Sequence, residues 1–287
     1  MEDKRREVRH IVRNVKSLPT IPGIMAKLNS IAEDEKATVN EIARLISSDQ
    51  ILSAKVLKLV NSPFYGFSRR VSTISNALIL LGVNVVKSLI LSSSIFELME
   101  KNVVGLWEHS MGAGVAANVI ARRLNLPEPE EISTAALIHD IGKVIIKIEL
   151  KEEFGNLISL IKEKDMSMRE AERELLDTDH AEIGDWLAKS WLLPEKLIEP
   201  IAFHHDVEKS LTQPTKTSAV HLADILVKAS GFGFSGDDFV PKIHPAAWAK
   251  LGLTEELLEG IVGEVEEKLV EVKNFSIEVQ STDDTQA

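Results

Sequence analysis

The chain has 287 residues, and 33 lysines and arginines against 44 aspartates and glutamates give a formal net charge of −11. Hydrophobic residues make up 44% and charged residues 27%, which is typical of a folded globular protein and argues against global disorder. The acidic balance argues against nucleic acid or an anionic membrane as the main partner. The absence of cysteine excludes disulfides, thiolate metal sites and cysteine nucleophiles.

The N-terminus and the apolar segments bear on localisation. The first ten residues are charged, and no apolar signal core follows them. The longest apolar stretch, 83–98, is too short and too polar to span a bilayer. We therefore expect a cytoplasmic protein with no membrane association.

The N-terminal part of the chain has the pattern of helices separated by stop signals. Thr38 and Glu41 have the spacing of a capping box, and Asp49 is placed to cap the next helix. The segment NSP, ending at Pro63, stops this second helix because proline disfavours helical geometry in the residue before it. A short helix beginning near residue 72 should stop at Gly82, and a longer apolar helix should follow it to about residue 99.

Helical periodicity continues through the C-terminal part, and no strand pair or hairpin turn is evident. The β-branched run 144–148 directly continues a helical pattern. We therefore predict an all-α fold of about a dozen helices. The helices predicted beyond residue 100 are 106–125, 131–147, 151–163, 168–176, 179–190, 195–205, 215–230 and 254–271.

Most histidines beyond residue 100 lie near acidic residues. The clearest string is AALIHDIGK at 135–143, in which apolar residues precede adjacent imidazole and carboxylate groups. Imidazole nitrogens together with carboxylate oxygens suit divalent iron, manganese, zinc or nickel, whereas oxygen alone would suit magnesium or calcium. The histidines and acids concerned are His109, the His139–Asp140 pair, His180, the run His204–His205–Asp206, and Asp224, which follows His221.

The order of these residues resembles a known superfamily. His109, the His139–Asp140 pair and Asp224 follow the H…HD…D order of the HD-domain metal-dependent phosphohydrolases. His180 and the pair at 204–205 are similar to the additional ligands of the HD-GYP cyclic-di-GMP phosphodiesterases. The resemblance therefore implies a mono- or dinuclear centre, with iron or manganese favoured over zinc or nickel.

Four motifs in the N-terminal half narrow the resemblance to the HDOD domain, the HD-related output domain of bacterial signalling proteins. They are SLPTIP at 17–22, ISSDQIL at 46–52, LVNSPFYG at 59–66 and ILLG at 79–82. This implies an HD-domain-like helical bundle. The expected HDOD domain spans 1–230, divided at residue 100 into an N-terminal helical half and the half with the metal site. A helical extension and flexible tail, 231–287, should follow it.

The sequence also differs in several positions from the families that it resembles. No Gly-Tyr-Pro follows the histidine pair, and Asp206 stands where HD-GYP proteins usually have glutamate. Gly105 occupies a position at which some three-metal members have a glutamate ligand. HDOD proteins commonly lose metal ligands and act as non-catalytic signalling outputs. Retention of nearly the whole ligand set therefore implies a metal site more strongly than it implies turnover.

The resemblance also suggests roles for individual residues. Lys143 lies three residues after Asp140, so a continuing helix would place both near one face. By analogy with the family, Lys143 would hold a phosphate oxygen, and Asp140 or Asp224 would bridge metals or orient a water. Lys143 and Asp140 are therefore the candidate catalytic residues.

Two functions fit this sequence. The first is a signalling output protein that works through an unknown signalling partner. The alternative is a metal-dependent phosphohydrolase or phosphodiesterase acting on a nucleotide or another phosphoester. A weaker third possibility is a sensor that binds a nucleotide without hydrolysing it.

Three local assignments stay open in the sequence. His205 is less secure than His204 because neighbouring helical residues point about 100° apart. His221 is one turn before Asp224 and competes with it as a ligand, although a supporting or surface role is favoured. The run 231–238 is either a lid or a connection.

Overall fold

The computed structural model describes residues 2–15, 28, 38–62, 65, 67 and 69–283. Within them the fold is entirely helical, which confirms the all-α prediction, and fourteen α-helices are found. In chain order they are α1 Glu2–Arg13, α2 Val39–Ser47, α3 Gln50–Val60, α4 Ile74–Asn102, α5 Leu106–Arg123, α6 Pro129–Ile138, α7 Ile141–Glu149, α8 Lys151–Lys164, α9 Met168–Leu176, α10 His180–Ser190, α11 Glu195–Phe203, α12 Pro214–Ala229, α13 Pro245–Leu251 and α14 Glu255–Asp283.

The helix ends of the N-terminal half follow the predicted capping signals. Thr38 and Glu41 form the complete capping box of α2, and the Asp49 side chain accepts from the backbone N–H of Leu52 at the start of α3. Gly82 adopts φ +79°, which a glycine reaches without steric cost, and it breaks α4 as expected. The motif at 17–22 and part of the motif at 59–66 lie outside the described residues.

Helix α5 is the central element of the metal-site half. It packs against α6, α12 and α14, and its residues are buried on nearly every side. A helix surrounded in this way needs small or apolar residues all round, and the sequence GAGVAA at 112–117 provides them. Helices α11 and α12 pack on the same assembly, and α10 packs against α7.

The predicted helix 131–147 is wrong as one element. The structure has two helices, α6 and α7, separated by His139 and Asp140. Asp140 has φ −93° and ψ 13°, outside the helical region. In a continuous helix the two side chains would point about 100° apart, so the break allows both to face the same interior volume.

Two helices were not predicted, α1 and α13. Helix α1 packs back against α10, where Arg5 pairs with Glu182 and the guanidinium of Arg9 lies 5.5 Å from the Trp186 ring centroid. The first residues of the chain are therefore attached to the helix that begins with His180. At the other end, α14 continues to Asp283, and residues 284–287 lie outside the described part of the chain.

Candidate metal centre

Five separate segments bring the predicted ligands together. His109 comes from α5, the pair His139–Asp140 from the α6–α7 break, and His180 from the first position of α10. Asp224 comes from α12, and the two adjacent histidines directly follow α11. The predicted ligands are almost completely buried except His205, which is half-buried. Helix packing therefore concentrates polar groups at a place where apolar side chains would otherwise be expected.

The first group of donors consists of His109, His139, Asp140 and Asp224, with donor atoms within 4.8 Å of one another. His109 Nε2 lies 3.0 Å from Asp224 Oδ1 and 3.6 Å from Asp140 Oδ2. His139 Nε2 lies 3.4 Å from Asp140 Oδ2 and 3.6 Å from Asp224 Oδ1. Two imidazoles and two carboxylates thus face one point.

The second group consists of His180, His204 and His205, which also lie within 4.8 Å of one another. His180 Nε2 is 2.8 Å from His205 Nε2. The other oxygen of Asp140, Oδ1, lies 3.3 Å from His180 Nε2 and 3.9 Å from His204 Nε2. Asp140 therefore stands between the two groups, with Oδ2 facing the first and Oδ1 facing the second.

Hydrogen bonds determine which ring nitrogen of His139 and of His204 can bind a metal ion. His139 Nδ1 lies 2.6 Å from the Ala136 carbonyl, and His204 Nδ1 lies 2.8 Å from the Ile201 carbonyl. A carbonyl oxygen only accepts, so Nδ1 carries the proton and the Nε2 lone pair points into the site. The same arrangement occurs at the ends of two different helices, where the carbonyl three positions back accepts from the imidazole.

Several atoms of the two donor groups have no hydrogen-bond partner among the described residues. Among the described residues, eight buried side-chain polar atoms make no hydrogen bond, and five of them belong to the two groups. An unsatisfied buried polar atom costs about 1–3 kcal/mol, so five in one place suit coordination of a cation. The five are His109 Nε2, His139 Nε2, Asp140 Oδ1, His204 Nε2 and Asp224 Oδ1.

The electrostatics keep the carboxylates ionised. Burial opposes ionisation of Asp140 and Asp224, but neighbouring imidazoles, and Lys143 in the case of Asp140, hold the pKa of both carboxyls below the usual range. Burial, and then the charge of His139, holds the pKa of His204 well below its ordinary value, so this imidazole is neutral. Neutral imidazole and ionised carboxylate are the forms that coordinate a metal ion.

The electrostatics of His139 differ from those of His204. Burial opposes its protonation, but Asp140 and Asp224 outweigh burial and raise the pKa of its imidazole. A proton on His139 then compensates part of the buried negative charge. Metal binding has to displace that proton, so the affinity for metal falls as the pH decreases.

Lys143 contacts the site as predicted, although Asp140 is outside the helix that carries it. Its Nζ lies 2.6 Å from Asp140 Oδ2, and the side chain is buried. Burial opposes the charged form, but Asp140 and Asp224 raise the pKa of the ammonium group above its ordinary value. Lys143 is thus a positively charged group next to the carboxylate that lies between the two donor groups.

Asp206 and Gly105 stand at two positions where this sequence differs from the families that it resembles. Asp206 pairs with Arg169 at 2.7 Å and with Lys209 at 2.9 Å, so it belongs to neither donor group. Gly105 adopts φ +84°, and a Cβ built there would lie 2.7 Å from Phe234 Cβ. The space for a side chain at 105 is therefore filled by the segment that follows α12.

Glu172 was not predicted from the sequence. It is buried in α9, and its Oε2 accepts from His180 Nδ1 at 2.6 Å and from the His180 backbone N–H at 2.9 Å. The signal was present, since Glu172 lies one turn from both Met168 and Leu176 on the core-facing side of α9. A carboxylate that orients a ligating histidine in this way typically raises metal affinity.

Replacing Glu172 by leucine should therefore weaken metal binding at the second group specifically. We expect a loss of about 10- to 100-fold in metal affinity at the second group, because the acceptor that fixes the His180 ring is gone. Chelator competition titrations would measure both affinities. Glu172→Gln, which keeps an acceptor oxygen, should lose less, and Glu174→Gln on the exposed side of α9 is the control. An equal loss at both groups would contradict a role specific to His180.

His221 belongs to neither donor group. Its Nδ1 donates to the His204 carbonyl at 2.7 Å, and its Nε2 accepts from the backbone N–H of His244 at 3.0 Å. His221 therefore connects His204 to the residue that precedes α13. This is the supporting role that the sequence analysis favoured for it. The segment 231–238 packs over His109, since the Phe234 N–H donates to the Gly105 carbonyl at 2.9 Å.

Comparison with known families decides the ancestry. A family model described as the HDOD domain matches residues 18–207, more than half of the chain. The chain belongs to the HDOD family. The HDOD resemblance inferred from the sequence is thereby confirmed, and retention of metal ligands is suggested by the two buried His/Asp groups. Among the described residues of this HDOD chain, no helix has the length and apolar character needed to cross a membrane.

This HDOD chain is similar to several solved structures and to one curated protein. An HDOD domain protein of unknown function from Geobacter sulfurreducens is 30% identical, with a TM-score of 0.72 over 95% of this chain and 97% of that one. A candidate metal-dependent phosphohydrolase from Shewanella amazonensis shares the fold, with a TM-score of 0.58, 17% identity, and coverage of 96% and 99% of the two chains.

A curated relative from Treponema pallidum is an uncharacterized protein. It is 26% identical over 201 residues, which are 69% of this chain and 39% of the relative. This HDOD chain therefore spans about two fifths of the length of the curated relative that it matches.

Proposed function

We propose that this HDOD protein binds two divalent transition-metal ions and hydrolyses a phosphoester. The observation that carries the proposal is the position of Asp140, whose two oxygens face two separate groups of imidazole donors. A carboxylate shared between two ions is a common basis of two-metal hydrolytic sites. The unsatisfied buried donor atoms around it support the same reading.

The donor sets suit two ions of similar type. His109, His139, Asp224 and Asp140 Oδ2 would hold the first ion. His180, His204, His205 and Asp140 Oδ1 would hold the second ion. Mixed nitrogen and oxygen ligation favours iron or manganese and is compatible with zinc or nickel. Divalent ions at such a site polarise a phosphoryl oxygen and lower the pKa of a bound water.

Lys143 is not a metal ligand, but it contributes a positive charge to the proposed site. Its ammonium group donates to Asp140 Oδ2 and keeps this carboxylate in one orientation. An ammonium group has three donors, so it can also hold a phosphate oxygen of the substrate as a point charge. Burial around Lys143 excludes water and strengthens that contact. We assign Lys143 to phosphate binding and Asp140 to metal bridging.

A regulatory role without turnover is the second candidate, and the burial of the centre favours it. Nearly all of the proposed ligands are buried, and the segment 231–238 covers His109. An ion held in this way stabilises the folded form by mass action and can act as a structural signal for a signalling partner. Family membership is compatible with this role.

Metal analysis together with an activity assay separates the two functions. Protein purified without chelator would be analysed for bound metals, then reconstituted with Mn²⁺ or Fe²⁺ and assayed with bis(4-nitrophenyl) phosphate. Bound transition metal with turnover would support hydrolysis, and bound metal without turnover of any phosphoester would favour the regulatory role. Absence of metal from both native and reconstituted protein would contradict both functions.

A further inference from the structure

A cavity beside the metal centre bears on the kind of phosphoester that fits. We propose that this cavity binds the organic part of the substrate, and that the substrate is a phosphate monoester of an apolar aliphatic alcohol. The inference rests on the proposed function, because it places the phosphate at Lys143 and the two ions. Hydrolysis of such an ester by water breaks a P–O bond and releases inorganic phosphate and the alcohol.

The cavity has a volume of about 480 Å³, and it is bounded by residues 103–105, α8, the start of α9 and residues 233–236. This volume lies within the usual range of small-molecule sites, about 300–1,000 Å³. Its walls are mostly apolar, and the side chains that form them are Val103, Val104, Phe154, Ile158, Met168 and Phe234.

Two polar side chains are among the residues that line the cavity. Lys143 lines it, and its Nζ is 2.6 Å from Asp140 Oδ2, so the cavity adjoins the metal centre at Lys143. Ser235 lines it too, and its buried hydroxyl makes no hydrogen bond in the structure. A cation and an unpartnered hydroxyl in an otherwise apolar lining suit the oxygens of a phosphate group.

The rest of the lining disfavours a nucleobase. Apart from Lys143 and Ser235, the residues around the cavity are apolar or glycine. A nucleobase carries several donors and acceptors, and their burial without partners would reduce affinity. An aliphatic chain needs no such partners and gains affinity in proportion to the area that it buries. The observations therefore favour an alkyl body.

Hydrogen bonds hold the walls of the cavity in place. The Phe234 N–H donates to the Gly105 carbonyl at 2.9 Å, and the Met168 N–H donates to Asp237 at 2.8 Å. The segment after α12 is thereby attached to both α5 and α9. A cavity formed before the ligand arrives loses less affinity to ordering on binding.

Calorimetry with a series of alkyl phosphates tests the inference on metal-loaded full-length protein. The ligands are inorganic phosphate, butyl, hexyl and octyl phosphate, and adenosine monophosphate. Each added CH₂ group should tighten binding by about three- to fourfold, so octyl phosphate should bind roughly 100-fold more tightly than butyl phosphate. Adenosine monophosphate should bind more weakly than octyl phosphate.

Variants in α8 locate the binding site. Ile158→Trp fills the cavity and should remove most of the dependence on chain length, while Asn156→Trp, on the exposed side of α8, should leave it unchanged. Metal content and melting temperature verify that both variants are folded. Should Ile158→Trp fail to fold, Phe234→Ser replaces a wall side chain that is 41% exposed and should reduce the octyl phosphate affinity.

The outcomes separate this inference from the proposed function. Binding of inorganic phosphate with no effect of chain length would overturn the inference and leave the proposed function intact. Tighter binding of adenosine monophosphate than of octyl phosphate would also overturn it. Absence of metal, or of any phosphate binding to metal-loaded protein, would contradict the proposed function itself.

Discussion

Replacing Asp140 by asparagine is expected to disrupt both halves of the metal centre and to slow phosphoester hydrolysis by at least about 1,000-fold, since metal ions contribute several kcal/mol to such transition states. The reason is that one side chain faces both donor groups. An asparagine side chain has one oxygen and no charge. It therefore cannot bridge two ions, and it cannot balance the positive charge of the ions and of Lys143.

Metal analysis and single-turnover kinetics would measure the two effects of Asp140→Asn. Asp165→Asn, at the exposed end of α8, makes the same chemical change away from the centre and should leave metal content and rate unchanged. Two bound ions in Asp140→Asn would contradict the bridging role. Unchanged turnover would show that a different site or a contaminant catalyses the reaction.

Replacing Gly142 by alanine should remove the second ion while the first remains. A Cβ at Gly142 would lie 2.0 Å from the carbonyl oxygen and 2.9 Å from the Cα of His180, so the starts of α7 and α10 would have to separate. We expect a loss of about 1–3 kcal/mol or more in the free energy of unfolding, which is typical of overpacking against backbone. His180 would move away from Asp140, and the second donor group would lose its geometry.

The matched control for this substitution is Gly155→Ala in α8. A Cβ there meets no atom within 4 Å, so we expect a gain of about 0.5–1 kcal/mol from the better helix propensity of alanine. Denaturant unfolding and metal stoichiometry would be measured for both variants. A Gly142→Ala protein that keeps two ions and wild-type stability would show that α7 and α10 can separate without affecting the centre.

Local signals in the sequence predicted much of the fold. The caps at Thr38 and Asp49 and the break at Gly82 depend on neighbouring residues only, so they could be identified without tertiary information. The break at His139–Asp140 could not, because the helical pattern of the sequence continues across it. Packing of α7 against α10 and burial of two polar side chains in one place are properties of the assembled fold.

The set of residues that form the site was predictable only because their order along the chain matches a family motif. Spacing in the sequence gives no distance between His109 and Asp224, and family resemblance supplied the expectation that they meet. The family pattern left Glu172 out, although its acidic side chain on the buried side of α9 is a visible anomaly. Ser235 also had no signal, since its burial depends on how the segment after α12 crosses α5 and α9.

The assembly of the centre from distant segments has a consequence for biosynthesis. His109 and Asp224 face each other across 3.0 Å, yet more than a hundred residues separate them along the chain. At translation rates of about 5–20 residues per second, several seconds pass between the synthesis of one and the other. Asp140 and the three imidazoles of the second group have all been made by residue 205, before the first group acquires its last carboxylate. A ribosome-bound chain therefore completes the donors of the second group before those of the first.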